Sequence, residues 1–138
     1  MRAPADAPEI RSVVIERTMP FPPYRIWRAL TQPELMAEWL LKSDFAPVVG
    51  RDFRFTQEWG SIDCRVTEVE PETTLAYTWA AFGLESTVTW TLTPVGAGTK
   101  LRMEQVGFRR DQEEAFRGAR AAWTGYFKAL EAVVGRAG

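Results

Sequence analysis

The last long stretch of this 138-residue chain sets the terms for the rest. From Asp111 to Val134, the residues Phe116, Ala119, Trp123, Phe127, Leu130 and Val134 recur at steps of three and four, which places them on one apolar stripe of a helix. Glu113, Glu114, Arg117, Lys128 and Glu131 fall mostly on the other side, where they can face water. Acidic residues open the segment and Gly135-Arg136 follows it, as macrodipole and C-cap preferences expect. About 22 helical residues at ~1.5 Å each span about 33 Å. No other segment is long enough to be a spine.

What faces that stripe must be sheet, because most of the preceding chain reads with a period of two. Val88, Trp90 and Leu92 alternate with Thr87, Thr89, Thr91 and Thr93. A first strand is expected over Ile10–Met19, followed by strands over Asp52–Glu58, Ser61–Val69, Thr74–Trp79, Glu85–Thr93 and Lys100–Gln105. Trp59-Gly60, Glu70-Pro71-Glu72, Phe82-Gly83 and the run from Pro94 to Gly98 supply the turns, so the strands form an antiparallel meander. Between the first two strands, Tyr24–Leu30 and a segment starting at Pro33 carry helical spacing, and Leu41–Gly50 reads as loop. The expectation is an α+β chain, one long helix lying in the hollow of a curved antiparallel sheet.

Composition excludes several classes of function. Seventeen basic against eighteen acidic side chains, scattered among one another, give no electrostatic footprint for nucleic acid or an anionic membrane. One cysteine, Cys64, forms no internal disulfide, and no apolar run approaches the length of a membrane span, so a cytoplasmic protein is expected. Met1 to Glu9 reads as a frayed lead-in to a single domain over 10–138.

The chain contains no histidine. That removes the commonest general base, the Ser-His and Cys-His nucleophilic pairs, and the usual zinc ligands. No calcium loop and no phosphate-binding glycine motif is present, so neither metal nor cofactor is expected. Alternation turns Asp63 and Glu104 to solvent, whereas Glu58 and Arg17 can each point inward. The positive signal is aromatic: six tryptophans, eight phenylalanines and three tyrosines. Most fill the core, but large flat side chains lining a partly open interior also suit a flat or greasy small molecule.

Three stretches, IERTMPFPPYRIWRALTQPELMAEW (Ile15–Trp39), EVEPETTLAYTW (Glu68–Trp79) and STVTWTLTPVGAGTKLRM (Ser86–Met103), resemble the activator-of-heat-shock-ATPase homologue family. That family lies within the START-like, birch-pollen-allergen-like (SRPBCC) superfamily. Val106–Phe108 and Trp123 with Leu130 match the family's ending. The resemblance implies a helix-grip fold, with six or seven antiparallel strands around the last helix and two short helices after strand one. It also implies an apolar cavity between helix and sheet. Two departures stand out: Leu40 stands where an aromatic is common, and Ala122 where glycine is common.

These readings give a binding module for a lipid-, sterol- or polyketide-like molecule. Its expected lining is Trp39, Phe45, Phe53, Phe55, Trp59, Tyr77, Trp79, Met103, Phe116 and Trp123, with Tyr77 and Arg17 supplying polar contacts. One rival is a cyclase- or hydrolase-like enzyme with Glu58 or Arg17 in the same space. Another is a protein-interaction role, as a chaperone cofactor or a homodimer.

Overall fold

The threonine-alternating stretch lies in the middle of the molecule. In the computed structural model, which describes residues 11–137, it is strand β6 (Leu84–Val95). Ser86, Val88, Trp90 and Leu92 are buried on its inner face, and the intervening threonines are half-buried or exposed. The other elements are β1 (Arg11–Met19), α1 (Pro23–Thr31), α2 (Pro33–Trp39), β2 (Lys42–Ser43), β3 (Asp52–Gln57), β4 (Gly60–Glu70), β5 (Thr74–Ala81), β7 (Gly98–Phe108) and α3 (Glu113–Ala137). All seven strands belong to one antiparallel sheet in the order β1-β7-β6-β5-β4-β3-β2. Only β1 leaves the meander, pairing with β7 so that the chain's two ends share an edge. The expected lead-in over 1–9, and Ile10, lie outside the described residues.

Two bulges correct the simple alternation. In β7, Leu101, Met103 and Gln105 point inward, so strict period two would send Phe108 outward. The register slips at Gly107, whose φ of 135° suits glycine, and Phe108 is fully buried. In β4 the slip between Val66 and Glu68 likewise lets Val69 pack on the core.

The short helices begin at prolines, Pro23 and Pro33, where a missing N–H costs nothing. Trp39 donates its Nε1 to the carbonyl of Ala29 at 2.8 Å, which fixes α2 against α1. Two expectations are corrected. The 41–50 segment contains β2, whose residues Lys42 and Ser43 pair with Thr56 and Phe55. Gly135 does not cap α3; the helix runs through it to Ala137. Tertiary contacts carry it onward: Phe21 lies against Gly135, Arg25 donates to the Val134 carbonyl at 2.7 Å, and Arg136 pairs with Glu38 at 3.0 Å.

Candidate functional site

The C-terminal half of α3 leaves no room against the sheet. Phe127, Leu130, Val133 and Val134 are buried there, and Phe127 stacks on Trp90 with centroids 5.6 Å apart. Trp39 meets Trp90 edge-on at 5.6 Å. On the other flank Phe45, Phe53, Phe55 and Tyr77 form a closed group of rings, with Phe53 at 4.9 Å from Phe45 and 5.3 Å from Tyr77. Trp90 donates its Nε1 to the Tyr77 hydroxyl at 3.0 Å, and burial pushes that hydroxyl's pKa up. This part of the interior is solid protein.

Space opens at the other half of α3, where the side chains are small. Ala115, Gly118, Ala119 and Ala122 follow one another at helical spacing and form one wall of a cavity of about 660 Å³. A Cβ built on Gly118 would meet nothing within 4 Å. Trp79, Trp123 and Tyr126 make the deep aromatic surface; Trp79 and Trp123 lie 5.3 Å apart, Trp123 and Tyr126 5.4 Å. Leu41, Ile62, Ala81 and Leu84 complete the apolar lining.

One buried polar group, Gln105, faces this cavity from the inward parity of β7. Trp123 donates from Nε1 to Gln105 Oε1 at 2.7 Å, and Gln105 donates from Nε2 to Ser86 Oγ at 3.0 Å. Ser86 donates in turn to the Trp79 carbonyl at 2.8 Å. The tryptophan N–H can only donate, which fixes the amide's orientation. This relay ties α3 to β7, β6 and β5.

The mouth lies between the start of α3 and the turn after β5. Phe82 and Gly83 both have positive φ, 52° and 82°, as a tight I′ hairpin requires. A phenylalanine is unusual there. Its ring is 81% exposed and leans on the half-exposed ring of Trp59 at 5.6 Å. Gln112 donates to the Gly83 carbonyl at 3.3 Å and so links the hairpin to the helix. Asp111, Glu113 and Glu114 stand on the opposite rim. Asp111 pairs with Arg109, and Glu113 with Arg11 and Arg117. The Arg11 hydrogen bond, with a smaller contribution from Arg117, holds the Glu113 carboxyl below its usual range.

Of the residues expected to line a pocket, Trp59, Trp79 and Trp123 line this cavity. Trp39, Phe45, Phe53, Phe55, Tyr77 and Met103 are buried in the solid core. Phe116 packs edge-on against Phe108 at 5.5 Å, under the Arg11 guanidinium. Arg17 pairs with Glu131 at 2.9 Å on the far part of α3, and Glu58 is exposed. Gln105, Tyr126 and the small-residue stripe were not singled out from the sequence. The signals were there: a glutamine at core parity, and small residues at helical spacing.

A second depression lies on the outer face of the β3–β4 edge, among charged side chains. Its ions already satisfy one another, Arg54 with Asp63 at 2.7 Å and Arg65 with Asp52 at 2.6 Å. Cys64, in β4, is buried, and desolvation pushes its thiol's pKa up. Among the described residues no acid cluster could hold a metal ion, and no helix is long and apolar enough to cross a membrane.

Comparison with known proteins agrees with this architecture. Residues 20–135 match the family model described as Activator of Hsp90 ATPase homolog 1-like protein. The crystal structure of MLL2253 from Mesorhizobium loti is 50% identical, over 91% of this chain and 98% of that one, with a TM-score of 0.89. DynU16, from the dynemicin biosynthetic locus, is 27% identical over 87% of this chain and 45% of its own, with a TM-score of 0.78. The Aha1 dimer from Colwellia psychrerythraea shares the fold at 19% identity over 90% of this chain and 96% of its own, with a TM-score of 0.81. No curated protein matches.

Proposed function

Because this chain belongs to the Activator of Hsp90 ATPase homolog 1-like family, we propose that it binds a flat, largely apolar small molecule in the cavity beside the first half of α3. The observation that carries this reading is the small-residue wall of α3 that leads into Trp123 and Tyr126 and lines one cavity with Trp79. Such a wall leaves a volume of about 660 Å³, within the ordinary range for small-molecule sites. Covering about 300 Å² of apolar ligand surface at ~25 cal/mol per Å² gives about 7 kcal/mol. Association entropy reduces that figure, which points to high-micromolar to millimolar rather than nanomolar binding.

Binding is favoured over bond-making by how the polar groups are used. Gln105 and Trp123, the buried polar groups at the cavity, are bonded to each other, and the carboxylates stand at the exposed rim. The cyclase- or hydrolase-like alternative needs a titratable group inside, and neither Arg17 nor Glu58 is part of the lining.

Tryptophan fluorescence titrated with fatty acids, sterols and flat polycyclic aromatics tests the proposal. Saturable quenching or blue-shift by at least one class is expected, since three tryptophans line the space. No response across the panel, with unchanged thermal stability, overturns it. A homodimer is a separate matter, supported only by the dimeric Colwellia relative, and sedimentation at varied concentration decides it.

A further inference from the structure

Resting on that reading, we infer that the cavity favours a flat ring system carrying a carbonyl oxygen, which accepts the second side-chain N–H of Gln105. The buried relay holds four protons able to form hydrogen bonds: one on the Trp123 indole, two on the Gln105 amide and one on the Ser86 hydroxyl. Three of them have acceptors, namely Gln105 Oε1, Ser86 Oγ and the Trp79 carbonyl. The fourth, on Gln105 Nε2, has no acceptor among the described residues.

The relay cannot absorb that proton by rearranging. The Trp123 N–H can only donate, so Gln105 Oε1 must face it and the amide cannot turn over. Ser86 Oγ already receives one N–H of the amide, and the other points away from it. Gln105 is only 1% exposed, and it borders the cavity, so a guest there is placed to supply the missing acceptor. A buried N–H without a partner is rarer than a carbonyl oxygen with one lone pair idle. The floor of the cavity therefore lacks an acceptor rather than a donor.

The rest of the lining carries the same imbalance. The indole N–H of Trp79 and the hydroxyl of Tyr126 belong to half-buried residues on the same cavity, and neither engages a described residue. Both can donate to a guest, and the indole can do nothing else. A hydrocarbon of the same shape satisfies none of these groups. A carbonyl oxygen, with lone pairs and no proton of its own, satisfies the buried one.

Indanone and indane, the same flat bicycle with and without the carbonyl, test this by NMR titration of the side-chain N–H resonances. Taking the ketone out of water without a hydrogen bond would make indanone bind about tenfold more weakly than indane. With the Gln105 bond it should bind at least as tightly, and the spare Gln105 N–H should move downfield with indanone and not with indane. Gln105→Glu, compared with the parent at about pH 5 where burial keeps the new carboxyl protonated, retains an acceptor for Trp123 and a donor for Ser86. It lacks only the spare N–H, so the indanone-to-indane affinity ratio should fall about tenfold while a cooperative melt reports an intact fold. Should that variant not fold, the movement of the Gln105 N–H in the parent protein decides alone. Indane bound about tenfold tighter by the parent, a ratio indifferent to Gln105→Glu, or a shift confined to the Trp79 indole overturns the carbonyl inference and leaves the binding proposal standing. No shift at any cavity residue with either compound removes both.

Discussion

Trp123 of α3 and Gln105 of β7 are joined by a 2.7 Å hydrogen bond in the buried floor of the cavity. It is a buried polar link that keys the long helix to β7, the strand next to the β1 edge. Apolar packing tolerates sliding, whereas a buried donor and acceptor each need the other.

Gln105→Met should therefore cost about 1–3 kcal/mol, because it leaves the buried Trp123 N–H without its partner. Trp123→Phe should cost at least as much, through the orphaned amide oxygen and the lost ring volume. The double variant should be less damaged than the sum of the two, with a coupling of about 1 kcal/mol or more. Denaturant midpoints of the four proteins give the cycle, and strict additivity would contradict the keyed arrangement.

Gly118→Leu fills open space on an exposed helix, so folding should not suffer. Leucine gains about 0.5–1 kcal/mol of helix propensity over glycine. Thermal melts should show equal or higher stability, and ligand-induced fluorescence change should fall at least about tenfold. A destabilised variant would mean that the cavity wall is packed.

In the solid half, Trp90→Phe should cost about 3 kcal/mol, combining lost volume with the loss of the Tyr77 hydroxyl's partner. Tyr77→Phe removes only the hydroxyl and leaves the Trp90 N–H unpaired, so about 1–2 kcal/mol is expected. Urea titrations order the two.

Acid should selectively remove what Arg11 contributes. The Glu113 carboxyl is held low by Arg11, so its stabilising effect is complete above its unfolded value near 4.3 and vanishes as pH falls through the lower, folded value. Glu113→Gln should be less stable than the parent at neutral pH and indistinguishable from it at about pH 2. A gap that persists in strong acid would assign the effect to packing.

Cys64 should be inert in the native state. Desolvation disfavours its thiolate, so a thiol reagent at about pH 8 should label it only as fast as the sheet opens. Rapid labelling of the folded protein would mean that the β3–β4 edge is not closed over it.

Periodicity was enough to place most elements. The 3–4 spacing from Phe116 to Val134 identified the spine, and the threonine alternation identified β6, because each pattern states which face must leave water. Periodicity failed where one residue breaks the count. Gly107 shifts Phe108 from the outer to the inner face, and nothing in the local pattern distinguishes a bulge from continued alternation. It also could not see β2, two residues held only by their pairing with β3.

The site divides in the same way. Sequence alone determined that α3 would lie on a curved sheet with many rings between them, since burying an apolar stripe has few other solutions. It could not say which rings touch one another and which are left facing space. Trp39, Phe45, Phe53, Phe55 and Tyr77 look no different from Trp79 and Trp123 in one dimension, yet the first group closes on itself and the second borders a void. That was decided by where the small residues of α3 fall relative to the β5–β6 hairpin. Such a distance between elements far apart in the chain is fixed only when the whole fold packs.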